Sequence, residues 1–139
     1  MKIEVFCEDA IQKFTSDKPY AVISIQDPDY DFVPLIESDN LKGVCRLKFY
    51  DFDRATGNAN YDEHLFNVSD AKNILTFVES IKDKIDLLCV HCVAGISRSA
   101  GVSAVLSKIY YGDDMYFFQH YCPNMLVYRT ILNEHIRVK

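Results

Sequence analysis

Twelve residues, Val90-His91-Cys92-Val93-Ala94-Gly95-Ile96-Ser97-Arg98-Ser99-Ala100-Gly101, constrain the fold more than any other part of the chain. They follow the apolar run Leu87-Leu88-Cys89-Val90 and lead into a segment, Ala100 to Tyr111, in which Val102, Val105, Leu106 and Ile109 recur at helical spacing. The order is strand, tight loop, helix. A loop so placed turns its backbone N–H groups, and the positive end of the helix it opens, toward one point where a phosphate or another dianion can be held. Cys92 stands at the start of that loop, with the Arg98 guanidinium six positions on. A thiolate there is stabilised from two sides, by the helix N-terminus and by the cation. Arg98 also offers a planar fork matching two phosphate oxygens, which a lysine would not. These residues describe a nucleophile inside an anion cradle.

The remaining pattern alternates strands and helices. Lys2 to Cys7 places Ile3, Val5 and Cys7 on one side and reads as a strand, and Glu8 to Phe14 reads as a short helix. Tyr20 to Ile25 is nearly continuously apolar and rich in β-branched residues, the mark of a strand covered on both faces. Asp27-Pro28-Asp29 ends it as a turn, with a loop that carries an acid as the alternative. Residues 32–42 carry Pro34 and read as irregular or briefly helical, Val44 to Phe49 reads as another strand, and the polar stretch Tyr50 to Asn60 reads as a mobile surface loop. A helix follows with Ser69 as N-cap, Asp70 in its first turn, and Ile74, Leu75, Phe77, Val78 and Ile81 as its apolar stripe. Asp86 to Val90 is the strand that presents the loop. Beyond Gly112, residues 115–121 form a short helix, and Pro123-Asn124 starts a last one carrying Leu126, Val127, Ile131, Leu132 and Ile136. Such alternation predicts one α/β domain over 1–139, with a central, mostly parallel sheet of four to five strands and helices on both faces.

Charge and cysteine usage exclude several classes. The 15 basic and 20 acidic residues leave a net charge of −5, which argues against nucleic acid or an anionic membrane as the main partner. Acidic residues interrupt the N-terminal apolar run, so it is no signal peptide, and no run approaches membrane-spanning length. Of the five cysteines, Cys7, Cys45, Cys89, Cys92 and Cys122, Cys89 and Cys92 stand at a C-x2-C spacing, but no second such pair and no spaced Cys/His pair completes a metal site. A reducing cytoplasm is the simplest setting for them. Cys89 and Cys45 read as buried, inert thiols, with a disulfide to Cys92 on oxidation as the alternative.

His91-Cys92-(x2)-Gly95-(x2)-Arg98-Ser99 resembles the phosphate-binding signature of the cysteine-dependent protein tyrosine phosphatase superfamily, most of all its small dual-specificity branch. The likeness covers roughly Val44 to Ile136. It implies a metal-independent, cofactor-free phosphomonoester hydrolase working through a phosphocysteine. Cys92 is then the nucleophile, and the N–H groups of Val93, Ala94, Gly95, Ile96, Ser97 and Arg98 bind the phosphoryl oxygens. Ser99 donates to the Cys92 sulfur, and His91 orders the loop rather than acting as a base. The family's acid is an Asp on a loop just past a strand. Asp51 fits best and Asp53 second, although the 41 residues from Asp51 to Cys92 exceed the usual spacing and the Trp-Pro-Asp loop of larger tyrosine phosphatases is absent. Val93, Ala94 and Ile96 are uncharged where phosphoinositide phosphatases typically place lysines, so a phosphorylated protein or peptide is the expected substrate, acted on by a monomer. Tyr61, His64 or Phe66 is a candidate wall of the substrate site. Two other readings stand beside this one within the same fold, a phosphate-binding module without turnover and a phosphatase of a non-protein ester. A rhodanese-like sulfur carrier is a third, which Gly95 and Ser99 fit poorly.

Overall fold

The computed structural model describes residues 1–138. Four strands, β1 (Lys2–Phe6), β2 (Tyr20–Gln26), β3 (Leu41–Lys48) and β4 (Leu87–His91), form one sheet in the order β1-β4-β2-β3. Every neighbouring pair is parallel, with Ile23 of β2 opposite both Val90 of β4 and Cys45 of β3. The helices are α1 (Glu8–Ile11), α2 (Ala59–Asp62), α3 (Val68–Ile81), α4 (Arg98–Tyr111), α5 (Met115–His120) and α6 (Met125–Arg137). This is the single α/β sheet architecture that the strand and helix periodicities predict. The sheet has four strands and is wholly parallel.

Alternation along the central strands sorts the core into two layers. Ala21, Ile23 and Ile25 with Leu88 and Val90 face the larger layer, built with Ile74 and Val78 of α3, Val102, Val105 and Leu106 of α4, and Val127 and Ile131 of α6. Tyr20, Val22 and Cys89 face the other side, where Ile11 of α1 and the side chains of Phe14, Val33 and Leu35 cover them. Both faces of β2 are thus buried throughout, as its unbroken apolar run requires. The second layer contains little helix. The β2–β3 crossover runs through residues 27–40 without regular structure, and its Val33 and Leu35 supply apolar cover that a crossover helix ordinarily provides.

Local chemistry moves several boundaries. The N-cap of α3 is Asn67 and not Ser69. Asn67 accepts from the Asp70 N–H while the Asp70 carboxylate accepts from the Asn67 N–H, a reciprocal capping box that a serine two positions on cannot close. β3 begins at Leu41, three residues before the expected Val44, because residues 41–48 pair along the whole of β2. One short helix, α2, starts at the end of the stretch read as loop and runs two residues past it. Asn58 caps it, accepting from Asn60 N–H, and Asp62 folds back to accept from Thr56 and Gly57. Gly112 ends α4 at φ +76°, in the left-handed region where a glycine is favoured.

Candidate active site

In a parallel sheet the carboxyl ends of the strands lie together, and ligands bind there. Here that edge gathers Cys7 after β1, Asp27 after β2, Phe49 after β3 and Cys92 after β4. Residues 93–97 form the loop between β4 and α4, and α4 starts at Arg98. Two features force the loop's path. Gly95 adopts φ +70°, and a Cβ at that position would lie 2.8 Å from both Cys7 N and Phe6 O. The loop is therefore pressed against the end of β1, and Val93 O accepts from Glu8 N–H at 3.2 Å.

Cys92 is buried beneath this loop. Its Sγ accepts from Gly95 N–H at 3.3 Å and lies 3.1 Å from Ser99 Oγ. Arg98 is 5% exposed. Its Nη1 donates to Asp27 Oδ1 at 2.7 Å and to the Phe49 carbonyl at 2.8 Å, while its Nε is buried with no partner. A buried donor left unpaired costs free energy, and an anion in the loop is the natural group to satisfy it.

Asp51 is brought to the loop. Its Oδ1 accepts from Ser97 Oγ at 2.8 Å and from Asn124 Nδ2 at 2.9 Å. Asp53 is not. Its carboxylate holds the neighbouring Arg54 at 3.3 Å on the exposed surface. Asn124 serves three elements at once: its Oδ1 caps α6 by accepting from Val127 N–H, its Nδ2 reaches Asp51 and Phe52 O, and its N–H donates to Ser97 O. Cys122 N–H donates to Ile96 O. Gly101 permits this approach, since a Cβ there would stand 2.7 Å from Asn124 O.

His91 is fully enclosed. Nε2 lies 2.6 Å from Ser24 Oγ on β2, and Nδ1 lies 3.4 Å from Cys92 O. Burial pushes its pKa down to about 4, with Arg46 and Arg98 acting in the same direction against the Cys92 carbonyl. The ring is neutral at physiological pH and positioned to hold the strand end. Burial drives Cys89 the other way, to about 12, and Cys45 to about 11. Cys89 packs in the second layer and Cys92 in the first, so they stand on opposite faces of the sheet. All five cysteines are free thiols. Phe66 belongs to the core, edge-on to Phe49 at 4.9 Å, whereas Tyr61 is exposed and stacks edge-on with Tyr50 and Phe52.

Sequence reasoning missed two residues of this assembly. The Asp27-Pro28 pair does make the expected turn, with Tyr30 N–H donating to Asp27 O, and neither the turn nor the acid-loop alternative anticipates the carboxylate's pairing with Arg98. Asn124 was visible only as a helix start. Among the described residues no group of three or more His, Cys, Asp or Glu is arranged to hold a metal ion, and no helix is long and apolar enough to cross a membrane.

No family model and no curated protein matches the chain by sequence. Solved structures do match by shape. The human tyrosine phosphatase-like serine/threonine/tyrosine-interacting protein aligns with a TM-score of 0.65 at 16% identity, over 99% of this chain and 93% of that one. PTPMT1, solved in complex with PI(5)P, aligns with a TM-score of 0.61 at 11% identity, over 99% and 95%. Tk-PTP in its active form aligns with a TM-score of 0.55 at 15% identity, over 97% and 90%. Taken together with the wholly parallel sheet, these alignments show that the chain has the compact α/β fold of protein tyrosine phosphatase-like structures.

Proposed function

We propose that the protein is a metal-independent phosphatase of phosphorylated proteins or peptides, with Cys92 as its nucleophile. One observation carries the reading: Cys92 Sγ is reached by the loop's Gly95 N–H and by Ser99 Oγ from the first turn of α4, and Asp51 is tied to Ser97 of that loop. The Cys92 thiolate attacks phosphorus in line. The S–P bond forms, the P–O bond to the alcohol breaks, and Asp51 supplies the leaving oxygen's proton. Asp51 then takes a proton from water as the water oxygen attacks phosphorus. The S–P bond breaks, inorganic phosphate leaves, and Ser99 O–H donates to the returning thiolate. Loop N–H groups and the Arg98 guanidinium hold the equatorial oxygens, a preorganised electrostatic contribution of the kind that dominates phosphoryl transfer. His91, being neutral and enclosed, orders the loop. Free thiols suit a reducing, cytoplasmic setting.

A polyanionic lipid headgroup such as the PI(5)P bound by PTPMT1 fits less well, because Val93, Ala94 and Ile96 bring no positive charge to the loop. A second reading, a module that binds phosphate without turnover, rests on Asp51. Its Oδ1 is already engaged by Ser97 Oγ and Asn124 Nδ2, which tie the carboxylate to the loop rather than leaving it free to follow a departing oxygen.

Hydrolysis of p-nitrophenyl phosphate in EDTA separates the two. Turnover by the native chain, abolished in Cys92→Ser, supports the phosphatase. A loss in Asp51→Ala that is larger for a phosphotyrosyl peptide than for p-nitrophenyl phosphate supports Asp51 as the acid. Vanadate binding without turnover supports the module.

A further inference from the structure

The two ends of the loop each border a groove of a different kind from the cradle. At Ser97 lies a cavity of about 510 Å³ whose wall includes Asp53 and the aromatic side chains of Phe52, Phe118 and Tyr121. At Val93 lies one of about 420 Å³, walled by Glu8, Asp27 and Tyr30. Among the described residues neither groove has a lysine or arginine on its wall. Phe52, Phe118 and Tyr30 are substantially exposed, so their rings are available to a ligand. A carboxylate beside an aromatic face is a receptor for a cation, through ion pairing and through the ring's negative face. Phe32 shows the second half of this chemistry on the same molecule, with Arg46 and Lys48 lying 5.2 and 4.9 Å from its centroid. Asp53 already holds a guanidinium, that of Arg54, in an exposed pair that an arriving cation can replace.

The phosphoryl position between the grooves is set independently by the unpartnered Arg98 Nε, on a side chain 6% exposed, and by Cys92 Sγ. A ligand anchored there has its flanking groups directed over carboxylates on both sides. We infer that the substrate class is a phosphopeptide with lysine or arginine on both sides of the phosphoresidue, and that Glu8 and Asp53 select for it. This rests on the phosphatase reading for its turnover, and on the cradle alone for its binding. The opposite class, substrates with acidic flanks or further phosphates, meets like charge at both grooves. Electrostatics of this sort acts on selection and on encounter rate.

The test compares phosphotyrosyl peptides of one length whose flanking positions are all lysine/arginine, all alanine or all glutamate. kcat/KM is measured for the native chain, and Kd for Cys92→Ser. An exposed pair contributes up to about fivefold, so two sides predict roughly tenfold or more between lysine/arginine and glutamate flanks. The ratio is expected to shrink severalfold between low and 0.5 M salt, about where the screening length drops to a few ångströms. The double variant Glu8→Lys with Asp53→Lys is expected to erase or invert it. A ratio within about twofold at low salt, or a native preference for glutamate flanks, overturns the inference while leaving the phosphatase reading intact, because p-nitrophenyl phosphate has no flanks. Absence of all turnover overturns the phosphatase reading instead, and the Kd comparison then decides the selectivity by itself.

Discussion

Asp27 and Arg98, 71 residues apart in sequence, meet at 2.7 Å in a setting where the arginine side chain is 6% exposed and the carboxylate 30%. Asp27 is the carboxylate ion-paired with Arg98 among the described residues, and it approaches one end of a guanidinium whose Nε is left without a partner. Removing one member of a buried pair typically costs about 3–5 kcal/mol, because the other is left charged and alone. Asp27→Ala is therefore expected to lower stability by roughly 3 kcal/mol at neutral pH. Inorganic phosphate is expected to restore part of that loss by supplying the missing counter-charge. Thermal unfolding with and without phosphate checks this: the phosphate-induced rise in Tm is larger in Asp27→Ala than in the native chain. Equal rises would show that the pair does not bear on anion binding.

Asn124 links the α6 cap to Asp51. Asn124→Asp keeps an acceptor for the cap but replaces the donor toward Asp51 with a like charge. Stability is expected to fall by about 1–3 kcal/mol, because the cap acceptor remains while the buried donor to Asp51 and to the Phe52 carbonyl is lost. The rate on a phosphotyrosyl peptide is expected to fall about tenfold or more, a typical share of general-acid catalysis, and less on p-nitrophenyl phosphate, whose leaving group needs little protonation. Kinetics on the two substrates provide the check, and an equal fall on both removes Asn124 from any role through Asp51.

Gly95→Ala combines a left-handed backbone with contacts of 2.8 Å to Phe6 O and Cys7 N. The backbone alone costs about 1–2 kcal/mol for a residue with a Cβ, and the neighbouring atoms are main chain that cannot step aside. The variant is expected to fold but to bind vanadate at least about tenfold more weakly, corresponding to 1.4 kcal/mol. Titration calorimetry measures this directly. Native-like affinity would mean that the loop reaches its binding form by another path.

The folded-state pKa of His91, about 4, lies below its ordinary value of 6.5. The unfolded chain thus takes up a proton in the window between these values that the folded chain refuses. Stability contributed by the neutral ring is fully present above pH 6.5 and is lost progressively as the pH falls toward 4, to the extent of roughly 3 kcal/mol. Urea midpoints of the native chain are expected to fall across this window, with a shallower fall in His91→Gln. Parallel curves would assign the acid sensitivity to other groups.

How far all this was legible depends on the range of the interaction involved. The strand–loop–helix around Cys92 could be read because its determinants are contiguous: an apolar strand, a glycine needed for a positive φ, and an arginine opening a helix. Asp51 was identifiable because it directly follows a strand. Asp27 and Asn124 were assigned to a turn and a cap, and both local readings hold. Their further bonds span 71 and 73 residues and depend on sheet order, which periodicity does not encode. Ser69 reads as an N-cap by residue type alone, but Asn67 suits that position equally, and the reciprocal bond between Asn67 and Asp70 decides it.

The backbone bonds from Cys122 and Asn124 to Ile96 and Ser97 have a consequence for the order of events during synthesis. Chains emerge from the ribosome N-terminus first. All four strands, Cys92 and Arg98 are made before residues 122–124, so the nascent sheet can pair while the peptide that straps its loop is still being delivered. Until then the loop lacks two backbone bonds and Asp51 lacks its Asn124 donor. A growing chain thus acquires its thiol early and the fastening of its cradle last.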